Sequence, residues 1–336
     1  MFQLVSIPSK KMQSEFYKIL ITRGFKEENA LQCARIFTKN SLDGVYSHGV
    51  NRFAGFIKLV DDGFIKPNNT PSLKSKHAGI EQWDGNLGAG PLNAIHATGT
   101  AIALSQQYGI GCVALSNTNH WMRGGTYGWH AAKKGFVFIG WTNTIANMPA
   151  WGAVDNRLGN NPLVLAVPYK EEAIVLDMAM SQYSFGKMEL AKMRDEKLSM
   201  QGGYNKSGHL TNDPSEIIAS RRLLPIGYWK GAGLSLLLDV LSTVLSGGIS
   251  TSEISKSKVE TGISQVFIAI DISKLHNHSS IPQMIGNIIN DYHRSVTGDK
   301  SNKIVYPGER VLEIRKENLE NGIPVLKNIW EEIIRL

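Results

Sequence analysis

The sequence predicts an α/β fold preceded by a helical N-terminal segment. Three observations predict it. Apolar residues recur at helical spacing over residues 9–62. From residue 91 onward a helix, a short strand, a helix and a second strand follow one another, and that alternation is the mark of α/β architecture. No G-x-G-x-x-G loop stands in a strand–loop–helix context, so the usual dinucleotide fold is disfavoured. At roughly 150 residues per domain, 336 residues make about two domains or one large one. The expected division is a helical segment over 1–75, packing with C-terminal helices within 280–336, and an α/β core over 76–279.

The elements follow in order. Ser9 is a candidate cap for a first helix with Met12, Phe16, Ile19 and Leu20 on one stripe and Gly24 ending it. Ala30, Cys33, Ala34 and Phe37 make the second stripe; Val50, Phe53, Ile57 and Val60 the third, stopping at Gly63. Residues 64–90 turn to loops and short strands. Pro91 to Tyr108 reads as a helix with proline at its start and Gly109 past its end. Cys112 to Ser116 reads as a buried strand, Thr126 to Lys134 as a helix and Phe136 to Trp141 as a strand, an order compatible with parallel pairing. Leu163 to Val167 and Ile174 to Met178 continue as strands across a hairpin-length connection. Leu234, Leu237, Leu238, Leu241 and Leu245 mark a well-buried helix, Gln265 to Ile272 a strand, and Ile285, Ile288, Ile289 and Tyr292 another helix before two closing ones.

Composition removes several functions. Apolar residues are 42% and charged residues 19% of the chain, ordinary globular usage that excludes disorder and collagen. Cys33 and Cys112 are the two cysteines and form no CxxC pair, which argues against a thiolate zinc site and a disulfide framework. The N-terminus lacks a signal-peptide core, and the longest near-apolar run, Leu234 to Leu245, is short of the ~20 residues of a membrane span. A cytoplasmic setting is expected. The net charge is +7, but Lys10, Lys11, Lys74, Lys76, Lys133, Lys134, Lys256, Lys258, Lys300 and Lys303 are scattered. Nucleic acid recognition would gather them in one stripe.

Chemistry concentrates in four segments. In Gly44-Val-Tyr-Ser-His-Gly-Val-Asn-Arg52, Ser47 is a candidate cap of the third helix, which puts His48 and Arg52 one turn apart on one face. A guanidinium grips a carboxylate with paired donors, and an imidazole donates a proton. Gly44 and Gly49 permit close approach of a ligand. The plain alternative is a surface histidine at a helix start. In Asn117-Thr-Asn-His-Trp-Met-Arg-Gly-Gly125, Asn117, Asn119, His120 and Arg123 sit after a strand, where α/β sheets carry sites; the alternative is a loop satisfied by its own hydrogen bonds. Neither His48 nor His120 has a third ligand at metal spacing, so no metal is expected. Pro225-Ile-Gly-Tyr-Trp-Lys-Gly-Ala-Gly233 opens the long apolar helix, where backbone N–H groups and Lys230 favour an anion. Pro307-Gly-Glu-Arg310 either brings a charged pair to a ligand or simply begins a helix.

These strings, with Ile80-Glu-Gln-Trp-Asp84, Trp141-Thr-Asn143 and Leu224-Pro-Ile-Gly-Tyr-Trp-Lys-Gly231, resemble the malate/L-lactate dehydrogenase family that is unrelated to the Rossmann-type enzymes. The resemblance spans essentially the whole chain. It implies a non-Rossmann, malate/L-sulfolactate dehydrogenase-like α/β fold and a cytoplasmic homodimer with its active site at the subunit interface. It implies NADH-dependent reduction of a keto group in 2,3-diketo-L-gulonate, giving 3-dehydro-L-gulonate. Relatives acting on malate, lactate, ureidoglycolate or cyclic imino acids keep other substrates open, and a non-catalytic metabolite- or nucleic-acid-binding module is the alternative outside enzymes. The family's proton donor falls on His48, its second site histidine on His120 and its site arginine on Arg52. Its NAD contacts fall on Ala173, Ile174, Val175, Leu176, Asp177, Met178 and Ala179, on Trp229 and Lys230, and on Gly308, Glu309 and Arg310. The chain departs from the family at Gly159-Asn-Asn-Pro162, where threonine often precedes the second asparagine; Asn160 can still hydrogen-bond there.

Overall fold

The two ends of the chain build one core. A computed structural model describes residues 3–298 and 303–336, so Lys300 lies outside the described residues. Strand β1 (Leu4–Ile7) leads into helices α1 (Ser9–Thr22), α2 (Glu27–Leu42) and α3 (Val50–Asp61). Their stripes meet in an aromatic centre: Phe16 stacks on Phe53 at 4.0 Å, and Phe37 meets Phe53 edge-on at 5.2 Å. Full burial of each ring is worth about 1.5–3 kcal/mol. The last elements join this cluster. Strand β14 (Ile323–Leu326) pairs antiparallel with β1, Leu4 opposite Leu326, and helix α12 (Lys327–Ile334) adds Trp330 and Ile333.

The rest is built on a seven-stranded sheet. In chain order come β2 (Ser72–His77), β3 (Ile80–Asp84), α4 (Gly90–Tyr108), β4 (Ile110–Thr118), α5 (Gly125–Ala132), β5 (Phe136–Thr142), the pair β6 (Ala146–Pro149) and β7 (Asn156–Gly159), then β8 (Leu163–Tyr169) and β9 (Glu172–Met178). An excursion follows through α6 (Phe185–Met193), short strands β10 (Gly203–Tyr204) and β11 (Leu210–Thr211), α7 (Pro214–Ser220) and β12 (Arg222–Leu223). Helix α8 (Trp229–Ser246), the turn α9 (Thr251–Ile254), strand β13 (Ile263–Asp271), and helices α10 (Ile281–His293) and α11 (Glu309–Asn321) complete the chain. The sheet order is β2-β3-β4-β13-β5-β8-β9. Helices α4 and α5 cover one face, with Trp121, Tyr127, Trp129, Phe138 and Phe267 in the core; Ala232 and Leu238 of α8 pack on the other.

Several expectations are corrected. Strands β4 and β5 are not neighbours: β13 inserts between them, antiparallel to both, with Phe267 opposite Val113 and Gly140. The parallel pair is β3 with β4, joined by α4. Ser9 is the first residue of α1, and Pro8 holds the cap position. Ser47 does not cap α3. Tyr46–His48 form a 3₁₀ turn, Gly49 holds the cap position, and Ser41 Oγ of α2 accepts from Val50 N–H at 2.8 Å. Gly49 is needed for that contact, since a Cβ there would lie 2.2 Å from Ser41 Oγ; Gly44, at φ +80°, likewise faces Ile314 rather than a ligand. The leucines of α8 do not mark a well-buried helix: Leu234, Leu237 and Leu241 are exposed, and Leu238 alone of the five is fully buried.

One buried carboxylate ties the two parts. Asp43, at the end of α2, accepts from Arg123 Nη1 at 2.5 Å and from Arg315 Nε and Nη2 at 2.6 and 3.2 Å. Its side chain is fully buried, and Arg315 also lies 5.2 Å over the Trp129 ring. Removing one partner from such a network strands the opposite charge in a dry interior. Asp43→Ala should cost about 3–5 kcal/mol in urea unfolding; an unchanged midpoint would contradict this role.

Candidate active site

The 3₁₀ turn before α3 and the loop after β4 bring His48 and His120 together. Their rings are nearly parallel, with centroids 5.8 Å apart. Both are partly buried. Arg52, in the first turn of α3, acts on both rings through its charge. The three residues that the sequence assigns to chemistry are therefore one cluster.

The two histidines are held differently. The Nδ1 of His120 accepts from Met122 N–H at 3.0 Å. That nitrogen carries no proton, so the neutral ring carries its proton on Nε2. Burial, then the charges of Arg52 and His48, hold the His120 pKa well below the ordinary histidine value. His48 Nδ1 instead faces the Ser47 hydroxyl at 3.0 Å. A hydroxyl both donates and accepts, so this contact survives either protonation state of His48. Burial lowers the His48 pKa; Asp177 opposes that, while Arg52 and Arg123 add to it. The His48 backbone is fixed as well, its carbonyl accepting from Asn40 Nδ2 at 2.9 Å.

The other polar residues of the His120 loop are committed within the chain, as the plain reading of that loop expects. Asn117 Nδ2 donates to Asp84 at 2.9 Å, and Arg123 is held by Asp43. Asn119 is a clamp: its amide nitrogen lies 3.0–3.2 Å from the carbonyls of Phe64, Leu87 and Gly88, its Oδ1 accepts from Thr261 Oγ1, and its carbonyl accepts from Gln265 Nε2. His120 sits beside this anchor, with its Nδ1 taken by Met122 N–H.

Strand β9 gathers the remaining segments. It holds Ala173 to Met178, with Ala179 just beyond, on the edge of the sheet. Val175 N–H donates to Pro307 carbonyl at 3.0 Å, and Gly308, at φ +94°, lies so close that a Cβ would come within 3.3 Å of the Val175 backbone. Asp177 accepts from Gly125 N–H at 2.7 Å. Past the strand end, Ile226 N–H donates to Met180 carbonyl at 2.8 Å, which joins the turn before α8 to β9. Trp229 and Lys230 begin α8 there; Trp229 is 65% exposed, and no side chain caps the helix. Glu309 is engaged locally, accepting from Tyr306 N–H and pairing with His293, both at 3.0 Å, so it serves the start of α11; Arg310 is exposed. Asn160 accepts from Thr144 and Asn147 at 3.0 and 3.1 Å.

These residues fit a dinucleotide. A helix start with a lysine suits a diphosphate, Trp229 offers a flat ring, and the Trp129 indole N–H, buried near Gly308, has no partner among the described residues. Among the described residues, no group of three or more His, Cys, Asp and Glu could hold a metal ion.

Sequence reasoning missed three contributors. Ser47, which the sequence offers as a cap, is instead a partner of His48. Asp43 and Glu260 carried no local signal. Glu260 approaches Arg52 from the segment before β13 and accepts from Ile145 N–H at 2.9 Å.

The malate/L-lactate dehydrogenase family model matches residues 7–334. The chain is 41% identical over 330 residues, 98% of its length and 99% of theirs, to proteins of Citrobacter koseri and Pasteurella multocida named 2,3-diketo-L-gulonate reductase. It also resembles solved structures of malate dehydrogenase from Pyrococcus horikoshii (27% identity, TM-score 0.88, 99% of this chain and 96% of that) and sulfolactate dehydrogenase from Methanocaldococcus jannaschii (25%, 0.90, 98% and 95%). Malate dehydrogenase from Entamoeba histolytica shares the fold, at TM-score 0.93 over 99% of this chain and 97% of that, with 24% identity. The chain is therefore an oxidoreductase of the malate/L-lactate dehydrogenase family.

Proposed function

We propose that this protein is a cytoplasmic, NADH-dependent reductase of 2,3-diketo-L-gulonate that yields 3-dehydro-L-gulonate, with His48 as proton donor. The pairing of a locked, neutral His120 with a His48 free to change protonation carries the mechanistic part. The 41% identity to relatives named for this reaction supports the substrate. The product keeps its 3-keto group, so the reduced carbonyl is C2, next to the carboxylate. Arg52 binds that carboxylate with its forked donors. His120 donates Nε2–H to an oxygen of the substrate and fixes its orientation. His48, as imidazolium, gives its Nε2 proton to the oxygen that becomes the C2 hydroxyl, and the Nδ1–H that stays on the neutral ring donates to the Ser47 hydroxyl. A nicotinamide cofactor, when bound, would supply the hydride, and the backbone of β9 would hold it. Trp229 and Lys230 hold the dinucleotide at the start of α8, and Gly308 lets its segment approach closely.

The exposed apolar face of α8 supports a homodimer. Leu237, Val240, Leu241 and Val244 are 42–68% exposed on a helix whose other side packs on the sheet through Ala232 and Leu238. A contiguous apolar face of this kind marks an interface, and it begins at Trp229 and Lys230. Val240→Glu should give monomers in sedimentation and lose turnover; an active dimer would overturn this assignment.

His48→Asn should keep the fold and NADH binding but lower kcat by about 10²- to 10⁴-fold, the worth of a positioned acid. Equal rates for variant and parent would exclude His48 as the donor.

The reaction consumes the protonated ring, so kcat/KM for reduction should fall as pH rises through the free-enzyme pKa of His48. That pKa is lowered by burial, so the limb lies below the ordinary histidine range. Asp177 favours the charged ring. Asp177→Asn, which keeps an acceptor for Gly125 N–H, should move the limb further toward acid. A limb that stays in place, or moves toward alkali, would show that His48 does not govern the profile.

Lys230→Ala should raise the apparent NADH constant by about 1–2 kcal/mol, roughly 5- to 30-fold, if a charge-assisted hydrogen bond is lost. Reduced substrate affinity with unchanged NADH affinity would move Lys230 to the substrate side.

A further inference from the structure

The segment before β13 reaches the loop that bears His120. Its placement is fixed twice. Glu260 Oε2 accepts from Ile145 N–H at 2.9 Å, and the next residue, Thr261, donates to Asn119 Oδ1, also at 2.9 Å. Asn119 precedes His120, so Glu260 is pinned to the frame that carries that histidine. The Ile145 bond occupies one oxygen of Glu260, and the side chain is partly buried. Arg52 and Glu260 act on each other through charge, yet among the described residues neither forms an ion pair. Neither group is spent on an ion pair among the described residues, so each is open to a polar group of a ligand.

We propose that Glu260 is a specificity-determining residue: its second carboxylate oxygen accepts a hydrogen bond from a hydroxyl on the substrate chain beyond C3 and repels substrates with a second carboxylate there. This rests on the reading above, in which Arg52 binds the C1 carboxylate. The substrate 2,3-diketo-L-gulonate carries hydroxyls from C4 onward. Oxaloacetate carries at C4 a carboxylate, which would face Glu260 as a like charge. Burial raises the Glu260 pKa; the Ile145 N–H bond opposes this first and the Arg52 charge second, so an anionic Glu260 depends on both. Specificity of this kind is a difference of affinities, gained as much by repelling the wrong ligand as by binding the right one. A buried acceptor left facing a carboxylate is a strong basis for rejection.

Glu260→Gln tests this. Its amide oxygen still accepts from Ile145 N–H, and its NH₂ presents a donor to the ligand. NADH oxidation is measured with 2,3-diketo-L-gulonate, oxaloacetate and pyruvate, the last lacking both the hydroxyl chain and a second carboxylate. The expected result is a kcat/KM ratio of diketogulonate to oxaloacetate that falls roughly tenfold or more, through KM, with oxaloacetate rising and diketogulonate falling relative to pyruvate. Glu260→Asp, which keeps the charge, should still reject oxaloacetate. If all three substrates lose rate together, with both ratios to pyruvate unchanged, Glu260 only supports the Ile145 loop and the inference is overturned. If the parent oxidises NADH with none of the three, the proposed function falls and this inference falls with it.

Discussion

The site depends on where the Asp43 carboxylate sits. It closes α2 and leads into the turn that bears His48 five residues on. It holds Arg123, from the loop that bears His120, and Arg315, from α11. One side chain thus fixes the N-terminal helices, the sheet and a C-terminal helix at a common point. The cost of burying three charges is offset by short, multiply bonded contacts and by the Trp129 ring beneath Arg315. Glu172 lies 3.7 Å from Arg315 as well, so the two arginines meet two carboxylates. Burial lowers the His48 pKa, Asp177 opposes that, and Arg52 and the anchored Arg123 add to it, which favours the neutral imidazole.

The two rings differ in their hydrogen-bond partners. A backbone N–H can only donate, so Met122 fixes the tautomer of His120. A serine hydroxyl turns either way, so Ser47 leaves His48 free to gain and lose a proton. The difference between the two residues lies in the turns around them rather than in the imidazoles, and Met122, at φ +66°, is held in the left-handed region to make it.

Much of this was legible in the sequence. The three N-terminal helices follow from stripes whose residues all become core, and the loop after β4 was found because sites collect at strand ends. The strings that resemble the dehydrogenase family gave the fold that the solved structures share. What was illegible is long-range. Nothing local says that β13 will slide between β4 and β5, because its apolar run suits any central position. The leucines of α8 look the same whether the chain itself or a second subunit covers them. Asp43 finds Arg315 across 272 residues, and Glu260 stands among lysines that read as plain surface. Ser47 was misassigned because its hydroxyl suits a cap, while the cap came from Ser41 on the preceding helix.

The central claim is that one histidine is locked and the other titrates. Imidazole ¹⁵N NMR on the free protein, with His48→Asn and His120→Asn used for assignment, reads this directly between about pH 5 and 8, the span in which histidine normally titrates. The account predicts that His120 stays neutral throughout with its proton on Nε2, while His48 is the ring of the pair that takes up a proton as the pH falls below the ordinary histidine range. A His120 ring protonated on Nδ1, or one that titrates while His48 is silent, would contradict it.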